Sequence, residues 1–133
     1  MPDEEQGLDK ITTSIAPWLS VRTGGEALSF YQAAFGAVET YRLDDDDGRP
    51  VVAQLAIDGA AFWFQEDPES SPDAGDELPV RLILTVRDPD SLFERALAAG
   101  ATEVAPVSED HGWRVGRIAD PFGHHWEIGR PLQ

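Results

Sequence analysis

The alternation of apolar and polar residues divides the chain into two similar halves. In the first half, an apolar and β-branched run over residues 11–21 predicts a strand. Apolar residues at helical spacing over residues 23–37 predict a helix that stops at Gly36. Three strands joined by short turns are predicted next, over residues 38–44, 51–58 and 60–67.

The same order of elements recurs in the second half. A strand is predicted over residues 80–86 and a helix over residues 87–101. "LSVR" at 19–22 matches "LTVR" at 84–87, so a βαβββ unit is repeated at an offset of about 65 residues. Three strands complete the second unit, over residues 102–107, 113–119 and 124–128, and the "DPFG" sequence before the last of them suits a type I turn.

These units predict one compact domain with a simple division of the chain. The predicted segments are a disordered acidic tail at 1–10, a first unit at 11–65, a flexible linker at 66–79 and a second unit at 80–131. In each unit, strand residues alternate between a face covered by the helix and an opposite face. If the two half-sheets pair edge to edge, their uncovered faces line a shared cup.

Composition narrows the class of protein. The chain has 133 residues, of which 41% are hydrophobic and 26% charged, as in ordinary globular domains. It contains no run of ~20 apolar residues and begins without a secretory signal, so we expect a cytoplasmic protein with no membrane partner. The absence of cysteine excludes disulfides and zinc–thiolate sites.

The net charge of −15 makes nucleic acid an unsuitable partner, because phosphates would be repelled. A surface of this charge can simply keep the protein soluble, or it can also attract a cationic ligand. Composition leaves both readings open.

Three segments of the chain resemble the glyoxalase/bleomycin-resistance (vicinal oxygen chelate) superfamily, and more narrowly its PhnB-like branch. They are "PWLSVRTGGEALSFYQAAFGA" at 17–37, "VVAQLAIDGAAFWFQED" at 51–67 and "GRIADPFGHHWEI" at 116–128. The resemblance implies an α+β fold in which two βαβββ repeats form a curved mixed-sheet cup with helices on the outer face. It implies much less about the reaction, because this fold carries several kinds of enzyme as well as non-catalytic drug binders.

The resemblance also assigns four positions to metal ligands, here occupied by Ala16, Trp63, Arg81 and Glu127. Only Glu127 can donate to a metal, since the arginine is permanently charged and has no free lone pair. Shifting the alignment of the fourth strand by two residues would add Gln65. We therefore expect no cofactor and no complete site for a divalent metal, and we predict a salt bridge between Arg81 and Glu127.

The adjacent histidines of "HHWEI" fall on opposite faces of the last strand. Alternation puts His125 on the cup face with Glu127 and puts Trp126 under the helices. His124 is expected to bond to the turn backbone. His125 and Glu127 are the candidate catalytic acid–base groups, although His125 can equally line the cup without chemistry. If a metal binds, we expect Glu127 to hold it with His125 or Gln65.

Other positions on the predicted cup face add aromatic and polar groups. Tryptophans beside a few polar groups suit a flat or cationic organic ligand, although each tryptophan can instead pack in the core. The candidate ligand-binding residues are Trp18, Ser20, Gln54, Trp63, Gln65, Arg81, Trp113, His125 and Glu127.

Three functions fit this pattern. The first is a binder of a small organic ligand, cationic or aromatic, in a cup without a complete metal site. The second is a divalent-metal-dependent lyase or dioxygenase, and the third is a metal-free enzyme with His125 or Glu127 as base. We favour the first because donors are missing at Ala16 and Arg81 and no nucleophile motif is present. A homodimer is expected, since cups in this superfamily often form across a two-fold interface.

Overall fold

The computed structural model describes residues 14–70 and 81–132, which form two βαβββ repeats as predicted. The predicted tail at 1–10 lies outside the described residues, as does most of the predicted linker. The first unit contains β1 (Trp18–Val21), α1 (Gly24–Phe35), β2 (Val38–Asp44), β3 (Pro50–Ile57) and β4 (Ala60–Glu66). The second contains β5 (Leu82–Thr85), α2 (Pro89–Ala99), β6 (Thr102–Asp110), β7 (Trp113–Ala119) and β8 (His125–Pro131).

The ends of the helices follow local signals in the sequence. Helix α1 stops where Gly36 takes a left-handed φ of 66°, a conformation that glycine adopts without strain. Helix α2 starts after Asp88, whose side chain accepts a hydrogen bond from the Ser91 N–H, and Pro89 occupies the first turn. Within the described ranges, neither helix is long and apolar enough to cross a membrane.

Each unit forms its own four-stranded mixed sheet. The strand orders are β1-β4-β3-β2 and β5-β8-β7-β6, and in each sheet the first pair is parallel while the other pairs are antiparallel. The parallel pairs of the two sheets have equivalent registers. Trp18 on β1 lies opposite Trp63 on β4, and at the corresponding place in the second sheet Ile83 on β5 lies opposite Glu127 on β8. Within the described residues no strand of one sheet pairs with a strand of the other, so the condition for an edge-to-edge shared cup is not met.

One aromatic core joins the two units on the helix-covered side of the sheets. The Trp126 ring on β8 lies with its centroid 4.8 Å from that of Phe35 on α1 and 5.4 Å from that of Phe62 on β4. All three side chains are buried, as the pattern predicts for Trp126. Because large aromatic rings contribute much of the free energy of burial, this cluster is a stabilising apolar contact between the units.

A buried carboxylate fastens the last turn to the first unit. Asp120 is 4% exposed, and its Oδ2 accepts hydrogen bonds from the Tyr31 hydroxyl (2.7 Å) and the Trp126 indole N–H (2.9 Å). Its Oδ1 accepts from the backbone N–H groups of Phe122 (3.0 Å) and His124 (2.9 Å). Burial, with the Asp120 charge, raises the pKa of Tyr31 well above 10.0, so the hydroxyl stays protonated and remains a donor.

His124 makes a second polar link between the units. Its Nε2 lies 2.7 Å from the backbone oxygen of Ser20 on β1, and because a carbonyl only accepts, Nε2 carries the proton and donates. The expectation of a bond to the turn holds for the His124 backbone oxygen, which accepts from the Asp120 N–H at 2.8 Å. The same expectation is wrong for the His124 ring, which bonds to the Ser20 carbonyl of the first unit and not to the turn.

Candidate functional site

Each sheet has a face that its helix does not cover, called here the open face. On the first sheet this face displays two rows of side chains that run across the four strands. The rows are Trp18–Trp63–Gln54–Tyr41 and Ser20–Gln65–Val52–Leu43. The residues between them in sequence, such as Leu19 and Phe64, are buried under α1.

Three aromatic rings form a platform on the first open face, made of Trp18, Tyr41 and Trp63. The ring centroids of Trp18 and Trp63 are 5.8 Å apart at an interplanar angle of 24°, and Tyr41 lies 5.7 Å from Trp63 at 57°. Trp18 is 52% exposed and Tyr41 is 48% exposed. The alternative of a core location is therefore wrong for Trp18, and Tyr41 is a member that the sequence pattern did not single out.

Polar side chains border this aromatic platform. The Gln65 amide donates to the Ser20 hydroxyl at 3.3 Å, and the Thr40 hydroxyl donates to the Gln54 side-chain oxygen at 3.0 Å. These bonds hold the two amides beside the rings. Of the predicted ligand-binding residues, the first sheet thus brings together Trp18, Ser20, Gln54, Trp63 and Gln65.

The open face of the second sheet carries a charged cluster, Arg81, Arg117 and Glu127. Arg81 Nε lies 3.2 Å from Glu127 Oε2, which confirms the predicted salt bridge. Arg117 Nη2 lies 3.7 Å from the same oxygen, and Arg117 is the direct cross-strand neighbour of Glu127. Sequence reasoning missed Arg117 because the pairing of β7 with β8 sets this contact.

A cavity of about 520 Å³ borders Glu127 on the same face. Its apolar wall includes Ile83, Trp113 and Val115, and its polar groups include Asp110, His111 and Glu127. Trp113 and His111 both line this cavity. The volume lies within the range of small-molecule sites, and every lining residue belongs to the second unit.

His125 lies on the same face as Glu127 but is only 9% exposed. Its cross-strand neighbour is Ala119, one row away from the pair formed by Arg117 and Glu127. A catalytic role for His125 or Glu127 stays a prediction, and burial leaves His125 little access to a ligand.

The residues at the four ligand positions do not fit a divalent metal. Trp63 on the first sheet and Glu127 on the second occupy equivalent places in the strand pairing, which supports the alignment that assigns Trp63, and not Gln65, to the fourth-strand ligand position. Gln65 lies in the next row, opposite Ser20. The remaining carboxylate is held by a guanidinium group at 3.2 Å. In residues 14–70 and 81–132 no three His, Cys, Asp or Glu side chains are grouped so that they could hold an ion.

The two open faces are separate within one chain. Among the described residues, the hydrogen bonds, ion pairs and ring contacts between the units involve the helices, the helix-covered faces, the last turn and one β1 carbonyl. None of them joins an open-face side chain of one sheet to an open-face side chain of the other. Each sheet therefore presents its own open face.

Comparison with known proteins identifies the family. A sequence model described as "Glyoxalase-like domain" matches residues 19–129. An uncharacterized protein of Mycobacterium bovis is 39% identical over 132 residues, covering 92% of this chain and 86% of the relative. The crystal structure of TioX from Micromonospora sp. ML1 is 27% identical, with a TM-score of 0.73 over 91% of this chain and 100% of TioX.

A more distant structure shares the fold alone. The fosfomycin resistance protein FosX from Listeria monocytogenes is 19% identical, with a TM-score of 0.69 over 92% of this chain and 95% of FosX. The α+β fold that the family resemblance implies is therefore confirmed. On the evidence of the matched residues, this chain belongs to the family of glyoxalase-like domains.

Proposed function

We propose that this glyoxalase-like protein binds a small aromatic organic compound in a cup that lacks a complete metal site. The observation that carries this proposal is the aromatic platform, in which two of the three rings are about half exposed beside oriented amides. Exposed apolar patches framed by polar groups are typical of ligand or protein contacts. Assignment to the PhnB-like branch is part of the same proposal.

The cup in this proposal is completed by a second copy of the chain. Ile83 is 70% exposed on the second sheet, and Trp18 is half-exposed on the first, so both open faces leave apolar side chains in water. A two-fold dimer that brings the first sheet of one chain against the second sheet of its partner would cover both faces. It would make two identical cups, as a closed isologous assembly requires.

The metal-dependent alternative receives no support from the side chains. A Lewis-acid mechanism needs several oxygen or nitrogen donors that converge on one ion. Three of the four expected positions hold alanine, tryptophan and arginine. A binder without a metal fits the residues present.

The aromatic platform provides the first test. We expect Trp63→Ala to weaken the binding of 2-naphthamide about 10-fold, because it removes the central ring of three, and an aromatic pair contributes about 0.5–1.5 kcal/mol beyond buried area. Isothermal titration calorimetry measures the dissociation constant. Val104→Ala on β6 is the control, since it shortens an exposed apolar side chain away from the platform. Equal binding by both variants would contradict the proposal.

If each cup is built from two chains, two variants that each lack high-affinity binding should restore it when they form a mixed dimer. Trp63→Ala damages the first sheet and Trp113→Ala the second, so each homodimer has only damaged cups. When the two proteins are unfolded together in equal amounts and refolded, about a quarter of the cups should be intact, because half of the dimers are mixed and each has one intact cup. Calorimetry measures the fraction of high-affinity sites. A cup built within one chain would give none, and a monomer in light scattering would also refute this arrangement.

A further inference from the structure

We propose that the second open face binds an anionic group of the ligand, a carboxylate, between Arg81 and Arg117. This inference rests on the proposed function, because it names the charged end of the aromatic compound. It replaces the cationic ligand that the overall charge of the chain suggests.

The local charges on the second open face carry the inference. Two permanently charged guanidinium groups share one carboxylate, so the cluster has one unit of positive charge in excess. Within the described ranges, no Asp or Glu other than Glu127 lies within 4.0 Å of either guanidinium group. A ligand carboxylate would neutralise this excess.

Donor geometry leaves room for such a ligand group. Both arginines make their closest approach to the same oxygen, Oε2 of Glu127, Arg81 through Nε at 3.2 Å and Arg117 through Nη2 at 3.7 Å. A guanidinium group has five N–H donors, so each arginine keeps donors for a second carboxylate. The Arg81 side chain is more than half exposed, which makes those donors accessible.

The net charge of −15 does not cancel this local effect. At physiological salt the Debye length is about 8 Å, so distant surface carboxylates are screened while groups in contact are not. The other carboxylate that lines the cavity, Asp110, is 75% exposed and lies 3.4 Å from the His111 ring. Water therefore screens Asp110 more than it screens Glu127, whose side chain is only 22% exposed.

The cavity beside the cluster can take the apolar body of the ligand. Ile83, Trp113 and Val115 form its apolar wall, and its volume of about 520 Å³ is large enough for a two-ring aromatic compound. An aromatic carboxylate would thus place its rings on apolar side chains and its charge against the arginines.

Three probes of one shape test the inference: 2-naphthoate, 2-naphthamide and 2-naphthylmethylammonium, titrated by calorimetry into the full chain. We expect naphthoate to bind about 10-fold more tightly than naphthamide, as one charge-assisted hydrogen bond provides, and the ammonium compound to bind most weakly. The preference for naphthoate should shrink in 1 M salt, where the Debye length falls to about 3 Å.

Single substitutions distinguish an effect of the two arginines from an effect of the overall charge of the protein. Arg117→Met should abolish the naphthoate preference by weakening naphthoate binding more than naphthamide binding, and Arg81→Met provides the same test if the first variant does not fold. Glu127→Gln should strengthen naphthoate binding, because it removes the competing carboxylate. Arg22→Met is the matched control, since Arg22 is exposed on another part of the chain and should not alter the preference.

The outcomes distinguish this inference from the proposed function. Equal affinity for naphthoate and naphthamide, or tightest binding of the ammonium compound, would overturn the anionic site while leaving the aromatic cup in place. Failure of all three probes to bind would overturn both. Weaker naphthoate binding in Glu127→Gln would contradict competition between Glu127 and the ligand carboxylate for the two arginines, and would also refute the inference.

Discussion

Asp120→Ala lowers the free energy of unfolding by about 3–5 kcal/mol, the loss typical of breaking a buried charged network. The variant leaves four donors without their acceptor, and two of them, the Tyr31 hydroxyl and the Trp126 indole, are buried between the units. Urea unfolding at fixed protein concentration measures the effect, since a dimer would make stability concentration-dependent.

Two further variants provide a scale for the loss of stability in Asp120→Ala. Tyr31→Phe removes one of the four donors and should cost about 1–2 kcal/mol, because the carboxylate keeps three partners. Asp46→Ala, on the exposed β2–β3 loop, should change stability by no more than about 0.5 kcal/mol. A loss for Asp120→Ala as small as that for Asp46→Ala would show that the carboxylate does not hold the units together.

Gly24→Ala destabilises the fold by about 3 kcal/mol, a large cost for adding one methyl group. A β-carbon at Gly24 would overlap the backbone carbonyl of Pro50, the first residue of β3, and would lie 3.4 Å from the Phe64 ring. A backbone carbonyl within a sheet cannot move aside like a flexible side chain. Helix α1 would have to shift away from the first sheet.

The neighbouring glycine is the matched control for this substitution. Gly25 also lies in the first turn of α1, and a β-carbon there would meet nothing within 4 Å. Gly25→Ala should be neutral or stabilising by up to about 1 kcal/mol, the difference in helix propensity between the two residues. Thermal unfolding of both variants tests the pair. Equal melting temperatures would mean that the first sheet does not constrain the start of α1.

The positions that the family resemblance assigns to metal ligands hold side chains suited to a different chemistry. On the first sheet a tryptophan takes the equivalent place to Glu127, and it is the centre of the aromatic platform. On the second sheet an arginine pairs with the remaining carboxylate. The scaffold here displays rings on one sheet and guanidinium groups on the other, which is why we propose recognition of an organic compound.

The sequence alone was sufficient to predict the presence and order of every strand and helix in the two repeats. Alternation with a period of two, helical spacing, and turn residues such as Asp58 and Gly59 act within a few neighbouring residues, so they are visible without coordinates. The same local rules put Trp126 on the buried face and Glu127 on the open face. The Arg81–Glu127 contact was predicted from the family resemblance instead, which assigns both residues to ligand positions of one site.

Contacts between distant strands were decided only by the tertiary structure. Arg117 reaches Glu127, and Tyr41 reaches Trp63, through pairing registers that depend on how neighbouring strands slide along each other. The separation of the two sheets and the Asp120 network likewise depend on how the two units pack. Such contacts join residues up to 104 positions apart, as between Ser20 and His124, and their energies arise from burial and geometry that no local pattern contains.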